Sequence, residues 1–329
     1  MHIKDQAPLK LLGLLLVLVI SYFQFKNWVL IHEENMQAVI GAAYGVFDGT
    51  PHWRAFQNRI FSPGLVYALG FISDKPFILF MAAGIFALNC VLYGLVLRLT
   101  GSVARAVLAV QGAVLMWIFQ HHFWFYSWDL TEALCLLLFT YAALTEKMNR
   151  VVLAALVLVS MLNKETAVLI GVYFMVRGAA EKWAGCPINY RMIGQGAALS
   201  IASLIVTEAL RHYLFKFSSL DGVGHDVEHA AFGNHFNHAK NWETLMRFVQ
   251  RPSAFFLIIV FYVTALISLA AQAIKARNTS LMGLSAALAG YALALWVFGV
   301  IDEYRIYQPL MWCVALLLVS VNRSSTARS

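Results

Sequence analysis

Ten apolar segments run through this chain, and they limit what it can fold into. In the hydrocarbon core of a bilayer, the backbone N–H and C=O groups must be satisfied within a helix or in a closed barrel. The alternating segments of about ten residues that build a membrane barrel are absent. Each segment is therefore predicted to be a helix; the segments lie at about 9–25, 76–98, 103–120, 130–145, 149–162, 165–178, 192–213, 254–274, 280–300 and 307–322.

The low charge content supports the same class. Only 12% of the residues are charged, against about 25% in soluble proteins. We predict an all-α, polytopic integral membrane protein with about ten transmembrane helices, in a single transmembrane domain, 1–329, that leaves no room for a second, soluble domain. Lys and Arg are scattered in ones and twos, which indicates topology signals and not a nucleic-acid surface.

The distribution of charge predicts the orientation. With the N-terminus inside, the inner loops hold thirteen Lys and Arg and three acids, and the outer side has a net charge of −3. An even number of spans also places the basic C-terminus in the cytoplasm. The fifth and sixth segments are short and meet at the polar Asn163-Lys164-Glu165, as two short helices or one broken hairpin. Charge and parity together favour two helices over one span.

Two long extracytoplasmic loops, 26–75 and 213–253, follow from this topology. The first is predicted to carry interfacial helices at about 36–47 and 53–72. It contains Glu33 and Glu34, of which one can serve as a general base when crowding raises its pKa, and two cations for a phosphate, Arg54 and Arg59. The alternative is a solvated polar loop whose basic residues contact lipid headgroups.

Further polar groups lie at the predicted outer ends of the helices. Asp129 and Glu132 share one face of a helix, and a carboxylate near membrane depth usually faces a cavity or a partner. The alternative is acidic stabilisation of a helix N-terminus. Lys164 with Glu165, and the run from Asp302 to Arg305, are candidate binding groups or structural ion pairs.

The histidines raise the question of a metal. His225 and His229 are four residues apart in the second outer loop, a spacing that can place two imidazoles on one helix face. No recognised zinc spacing is present, so contact between this loop and a substrate is the preferred interpretation, and these two residues are weak candidates for a metal site.

Four short motifs, in order along the chain, resemble those of the membrane glycosyltransferases of the C superfamily (GT-C), which use polyprenyl-phosphate-linked sugars. All four lie on the predicted outer side. The motifs are Glu33-Glu34 after the first span, Arg59-Ile60-Phe61-Ser62-Pro63, Lys164-Glu165 after a short helix, and Glu303-Tyr304-Arg305-Ile306-Tyr307-Gln308-Pro309 at the last span. Family members often have an Asp or Asp-Glu where this chain has Glu-Glu, and many carry a soluble domain.

The resemblance implies a GT-C-like arrangement and an inverting sugar transfer outside the cytoplasm, in a bacterial inner membrane. Glu33 or Glu34 would be the base, and Arg59, Lys164 and Arg305 would stabilise the leaving phosphate. Arg54, Asp129, Glu165, Glu303 and Tyr307 would complete the substrate site. The donor is the lipid-linked sugar and the acceptor a glycan, lipid or protein. No cofactor is required; a divalent metal is possible but not indicated. The alternatives are a transporter or flippase, or a non-catalytic subunit of a membrane complex.

Overall fold

The computed structural model of this protein describes residues 7–48, 59–119, 125–147, 149–215, 237–251, 254–299 and 304–326. Every regular element in these ranges is helical, which confirms the predicted all-α class. Short 3₁₀ helices, Glu165–Ala167 and Tyr304–Tyr307, precede α8 and α13. The α-helices are α1 (Ala7–Ile31), α2 (Met36–Asp48), α3 (Phe61–Leu69), α4 (Pro76–Thr100), α5 (Val103–Phe119), α6 (Ser127–Thr145), α7 (Arg150–Asn163), α8 (Val168–Ala180), α9 (Tyr190–Phe215), α10 (His238–Gln250), α11 (Ala254–Ala276), α12 (Thr279–Phe298) and α13 (Gln308–Thr326).

Six of these helices are long and apolar enough to cross a membrane, namely α1, α4, α6, α9, α11 and α12. The helices α5, α7 and α13 are apolar but shorter. The chain therefore has the character of an integral membrane protein. The ten predicted segments are helical over nearly all of their described residues, whereas ten spans and cytoplasmic termini stay predictions. In the first loop, α2 matches its predicted helix, and α3 covers only part of the predicted 53–72.

The helices α7 and α8 leave and return to the same end of the bundle. Arg150 starts α7 shortly after Glu146, and Arg177 in the last turn of α8 forms an ion pair with that same Glu146 at 3.3 Å. Between them, Lys164 is extended, with φ −166° and ψ 160°, which breaks the helix. The two short segments are therefore a pair of helices joined by a polar turn.

The helix α7 is shorter than the hydrocarbon core of a bilayer is thick. A helix of 14 residues rises about 21 Å, at about 1.5 Å per residue. The hydrocarbon core of a bilayer is about 30 Å thick. When the end that carries Arg177 lies at one membrane surface, the turn at Lys164 stops short of the other surface. We call the end of the bundle that contains this turn the Lys164 end.

Glycines let α8 approach two neighbouring helices closely. Gly171 on α8 faces Gly196 on α9, and a Cβ atom at either position would clash with the other helix. Gly283 on α12 likewise lies against Tyr173 of α8. The Tyr173 hydroxyl is 2.7 Å from Ser280 Oγ, which donates to the Ala143 carbonyl of α6 at 2.7 Å. Small residues and hydroxyl bonds of this kind drive helix association in lipid.

Candidate functional site

A buried ionic cluster lies at the Lys164 end, between α6 and the turn after α7. Lys164 Nζ is 2.5 Å from Glu132 Oε2 and 3.7 Å from Asp129 Oδ1. Asp129 and Glu132 are each 2% exposed. They reach the same ammonium group because residues three apart lie on one helix face. Two carboxylates therefore share one cation inside a mostly apolar bundle.

A second cation lies next to this group. Arg59, just before α3, is 3.7 Å from Glu165 Oε2, and its guanidinium lies 5.3 Å from the centre of the Trp128 ring. Arg59 is 8% exposed, whereas the Glu165 side chain is 34% exposed. Glu165 directly follows Lys164, so the two ion pairs are linked by adjacent residues of the polar turn. Together they bring three carboxylates and two cations to one place.

Neutral hydrogen bonds hold the helices that carry these charges. Ser62 donates to Asn163 Oδ1 at 2.6 Å, and its Oγ lies 2.6 Å from Thr131 Oγ1. Asn163 Nδ2 donates to the Trp128 carbonyl at 2.9 Å. The Ile60 N–H donates to the Leu162 carbonyl at 2.9 Å. These bonds join α3, α6 and α7, and they fix Arg59 and Lys164 relative to each other.

Helix capping orients Asp129. The Tyr126 N–H donates to Asp129 Oδ2 at 3.1 Å, as part of a capping box at the start of α6. The Tyr126 ring stacks on Trp128, with ring centres 4.5 Å apart. One oxygen of Asp129 therefore caps the helix while the other faces Lys164. The two alternatives predicted for Asp129, a partner at membrane depth and stabilisation of a helix N-terminus, are both present in this one side chain.

Tyr291 of α12 lies beside the cluster, and Gln308 of α13 is a buried polar residue. The Tyr291 hydroxyl donates to the Ile306 carbonyl at 2.9 Å and lies beside the Glu132 carboxylate. Gln308, two residues further on, is 2% exposed. Neither polar atom of its amide has a hydrogen-bond partner among the described residues. A buried amide without partners loses free energy on the order of 1–3 kcal/mol, so Gln308 is available to a polar ligand.

Glu33 and Glu34 follow shortly after the C-terminal end of α1. They are exposed, in the turn between α1 and α2. Glu33 borders an open groove of about 750 Å³ together with Lys26, Asn27 and Ile118. The described contacts of the buried cluster include neither glutamate. The structure thus brings the predicted phosphate ligands Arg59 and Lys164 together, and it leaves the predicted bases Glu33 and Glu34 exposed in the turn after α1.

The other predicted residues are described in part. Arg54, Glu303, His225 and His229 lie outside the described residues, and for Arg305 only the backbone is described. Tyr307 is 8% exposed and stacks on Tyr262, with ring centres 6.3 Å apart. Within the described ranges, no three His, Cys, Asp or Glu side chains group as metal ligands.

No protein family, no curated protein and no solved structure matches this chain. Its function therefore has to be argued from the chemistry of the cluster.

The structure adds site residues that the motifs did not single out. Glu132 is the nearest partner of Lys164, and its spacing from Asp129 was the available signal. Ser62 and Asn163 lie within or beside the motifs, yet only the fold shows that they bond to each other. Tyr291 carries no sequence signal, because a tyrosine in an apolar helix usually only packs.

The charges also limit what the cluster can bind. Lys164 already faces two carboxylates, so a phosphate that approaches it must compete with both. Arg59 lies 3.7 Å from the carboxylate of Glu165, whose side chain is 34% exposed. A ligand anion at Arg59 competes with a carboxylate that is more accessible than those of Asp129 and Glu132. Arg59 is therefore the first contact that we expect an anionic ligand to make.

Proposed function

We propose that this protein is a glycosyltransferase that moves a sugar from a polyprenyl-phosphate carrier to an acceptor on the non-cytoplasmic side of the membrane. The observation that carries the proposal is a cluster of ion pairs at the Lys164 end. In it, Arg59 and Lys164 pair with Asp129, Glu132 and Glu165. Ionisable side chains are costly at membrane depth and usually mark a substrate site. A lipid-linked phosphate reaches such a site from within the bilayer.

The proposed reaction is a single displacement at the anomeric carbon. The acceptor oxygen forms the new bond to that carbon while the bond to the phosphate oxygen breaks, and the configuration inverts. The acceptor proton moves to Glu33 or Glu34, and the polyprenyl phosphate leaves with the bonding electrons. Arg59, Lys164 and Arg305 stabilise its negative charge. No step of this reaction needs a metal.

The exposed turn at Glu33 and Glu34 supports the choice of base. A general base must reach the acceptor hydroxyl within hydrogen-bond distance or through one water. An acceptor that arrives from the solvent meets this turn directly, whereas Asp129 and Glu132 are buried and held by Lys164. The acceptor and the donor phosphate then approach from different directions, as a displacement requires.

The proposal is tested by transfer activity of the purified protein in nanodiscs. A panel of polyprenyl-phosphate sugars is mixed with glycan, lipid and peptide acceptors, and the products are measured by mass spectrometry. We expect one donor to be consumed and its sugar to appear on one acceptor with inverted configuration. If the folded parent protein releases no sugar from any donor, the proposal is wrong.

Variants of the carboxylates then test the base. Glu33→Gln with Glu34→Gln should lower the rate at least a hundredfold, because general base catalysis contributes about 10²–10⁴-fold. Glu243→Gln, which changes an exposed carboxylate on α10, is the matched control and should leave the rate unchanged. Parent-like transfer by the double variant would remove both glutamates from the base role.

A second candidate, a transporter or flippase, is favoured by one observation. The helices α7 and α8 are interrupted by a polar turn at depth, and broken helices of this kind bind substrate in many transporters. Passage of a lipid-linked sugar across a proteoliposome membrane, without formation of a glycosylated product, would support this candidate over the transferase.

A further inference from the structure

The helix α10 has three different faces, and only one of them packs on the protein. Asn241 and Thr244 are buried at 0% and 3% exposure. Trp242, Met246 and Val249 are exposed, at 58%, 41% and 54%. With about 3.6 residues per turn, positions separated by four and seven residues share a face. Two polar residues of α10 are thus inside and a row of large apolar side chains is outside.

The third face of the helix is basic. Lys240 and Arg247 are exposed and seven residues apart, and the exposed Arg251 follows directly after the helix. Counted at about 100° per residue, these side chains point away from the row of Trp242, Met246 and Val249. Opposed apolar and basic faces are typical of a helix that lies in the plane of a membrane surface.

Hydrogen bonds fix this helix to the C-terminal end of α12. Asn241 Nδ2 donates to the carbonyls of Trp296 and Gly299, at 2.7 and 2.8 Å. Asn237 donates through its side chain to the Phe298 carbonyl at 2.9 Å and through its backbone to the Val297 carbonyl at 2.7 Å. The last carbonyl groups of a helix have no hydrogen-bond partner within it. Asn237 and Asn241 together donate to four consecutive carbonyl groups, those of residues 296 to 299.

An aromatic contact shows which way the apolar face points. The Trp242 ring lies edge to face with Trp296, with centres 6.5 Å apart. Trp296 precedes the last residues of α12, so Trp242 reaches back along the flank of that helix. One turn closer to the N-terminus of α12, Leu293 is 63% exposed. The apolar face of α10 is therefore continuous with a flank of α12 whose apolar side chains face outward.

We propose that α10 is an interfacial membrane helix, whose apolar face is buried at the boundary between headgroups and acyl chains. Tryptophans are enriched at this depth, where an apolar ring can keep its N–H near water. Removal of their apolar surface from water favours this position for Met246 and Val249. The helix then holds the end of α12 at a fixed height in the membrane. This inference does not depend on the proposed transferase activity.

Spin labels can measure the depth of each face in the full-length protein. Single cysteines are placed at 242, 246 and 249, and at 240 and 247 as matched controls on the same helix. The background is Cys186→Ser, because Cys186 is exposed, whereas Cys135 and Cys313 are buried and Cys90 is half-buried. Nitroxide-labelled protein is reconstituted in phosphatidylcholine–phosphatidylglycerol vesicles, and collisions with oxygen and with a nickel chelate are measured.

The expected result is a several-fold higher ratio of oxygen to nickel collisions at 242, 246 and 249 than at 240 and 247. Position 293 on α12 provides the lipid-facing reference, and position 182, in the loop after α8, provides the aqueous one. High nickel accessibility at all five positions of α10 would overturn the proposal. Oxygen and nickel both excluded at 242, 246 and 249, with dipolar broadening between labels, would also overturn it, since that shows a second protein copy on this face.

Discussion

Lys164 Nζ lies 2.5 Å from Glu132 Oε2, in a pair that joins the turn after α7 to the first turns of α6. Glu132 is 2% exposed, and the Lys164 side chain is 12% exposed. The Glu132 carboxylate is buried, so it depends on Lys164 for compensation of its charge. The ion pair stabilises the polar turn inside the apolar bundle, because buried charges without partners are costly there. Its integrity is therefore a condition for any chemistry at this site.

Lys164→Met removes the cation that two buried carboxylates share. We expect the free energy of unfolding to fall by about 3–5 kcal/mol, because an unpaired buried charge is left behind. Thermal unfolding in detergent, followed by circular dichroism and by size-exclusion profiles, measures the loss. Lys147→Met is the control, since Lys147 is exposed just after α6; it should unfold at the parent temperature.

A double variant separates lost pairing from lost packing. Glu132→Gln should partly restore the stability of Lys164→Met, because it neutralises one of the two orphaned carboxylates. The two changes then have a non-additive interaction free energy in a double-mutant cycle. Additive effects would show that Lys164 acts through its aliphatic stem and not through its charge.

Ser62→Ala tests the polar contact between α3 and α7. Ser62 has one proton and gives it to Asn163 Oδ1, so Thr131 is the donor in the second contact. Alanine leaves the buried Asn163 oxygen without this donor, at a cost of about 1–3 kcal/mol. We expect Thr131→Ala to cost less in the Ser62→Ala background than in the parent. Equal costs in both backgrounds, measured by thermal unfolding, would contradict a shared network.

The sequence predicted the helical class well, because the constraint acts residue by residue: each apolar run must close its own backbone hydrogen bonds in lipid. It also predicted the polar turn, since Lys164 and Glu165 interrupt two apolar runs. The partners of Lys164 could not be predicted, because they depend on how α6 packs against α7. Glu33 and Glu34 illustrate the same limit, since their adjacency along the chain does not show whether they face a cavity or the solvent.

The helix α10 is predictable from the spacing of its apolar residues. Trp242, Met246 and Val249 are spaced by four and three residues, which is the pattern of one helix face. The segment lies within a predicted outer loop, where no helix was expected. Its docking on α12 could not be predicted, because asparagine side chains bind helix ends only when tertiary structure brings them there.

Asn241→Ala tests this docking. Two carbonyls at the end of α12 lose their donor, and Asn241 itself is 0% exposed. We expect a loss of about 1–3 kcal/mol and faster amide exchange in α10 and the last turn of α12, measured by hydrogen exchange with mass spectrometry. Gln250→Ala, at the exposed end of the same helix, is the control. Parent-like protection in the Asn241 variant would mean that other contacts hold α10.

Two glycines on α9 provide the sharpest comparison that the fold allows. A Cβ atom at Gly196 would lie 2.5 Å from the Gly171 carbonyl oxygen and 2.8 Å from the Met175 backbone nitrogen. A Cβ atom at Gly194 would have nothing within 4 Å. Both positions are helical, so alanine raises the intrinsic helix propensity of each by about 1 kcal/mol. Any difference between the two variants therefore reports the contact between α8 and α9.

Gly196→Ala should lower the unfolding temperature, because the obstructing atoms are backbone atoms that can move only by separating α8 from α9. Such overpacking costs about 1–3 kcal/mol, which exceeds the gain in helix propensity. Gly194→Ala should leave the temperature unchanged or raise it slightly. The helix α8 continues from the turn at Lys164, so separation of α8 from α9 also shifts that turn. The proposed transfer activity should therefore fall in Gly196→Ala and not in Gly194→Ala. Equal unfolding temperatures for the two variants would show that α8 and α9 do not pack as closely as described.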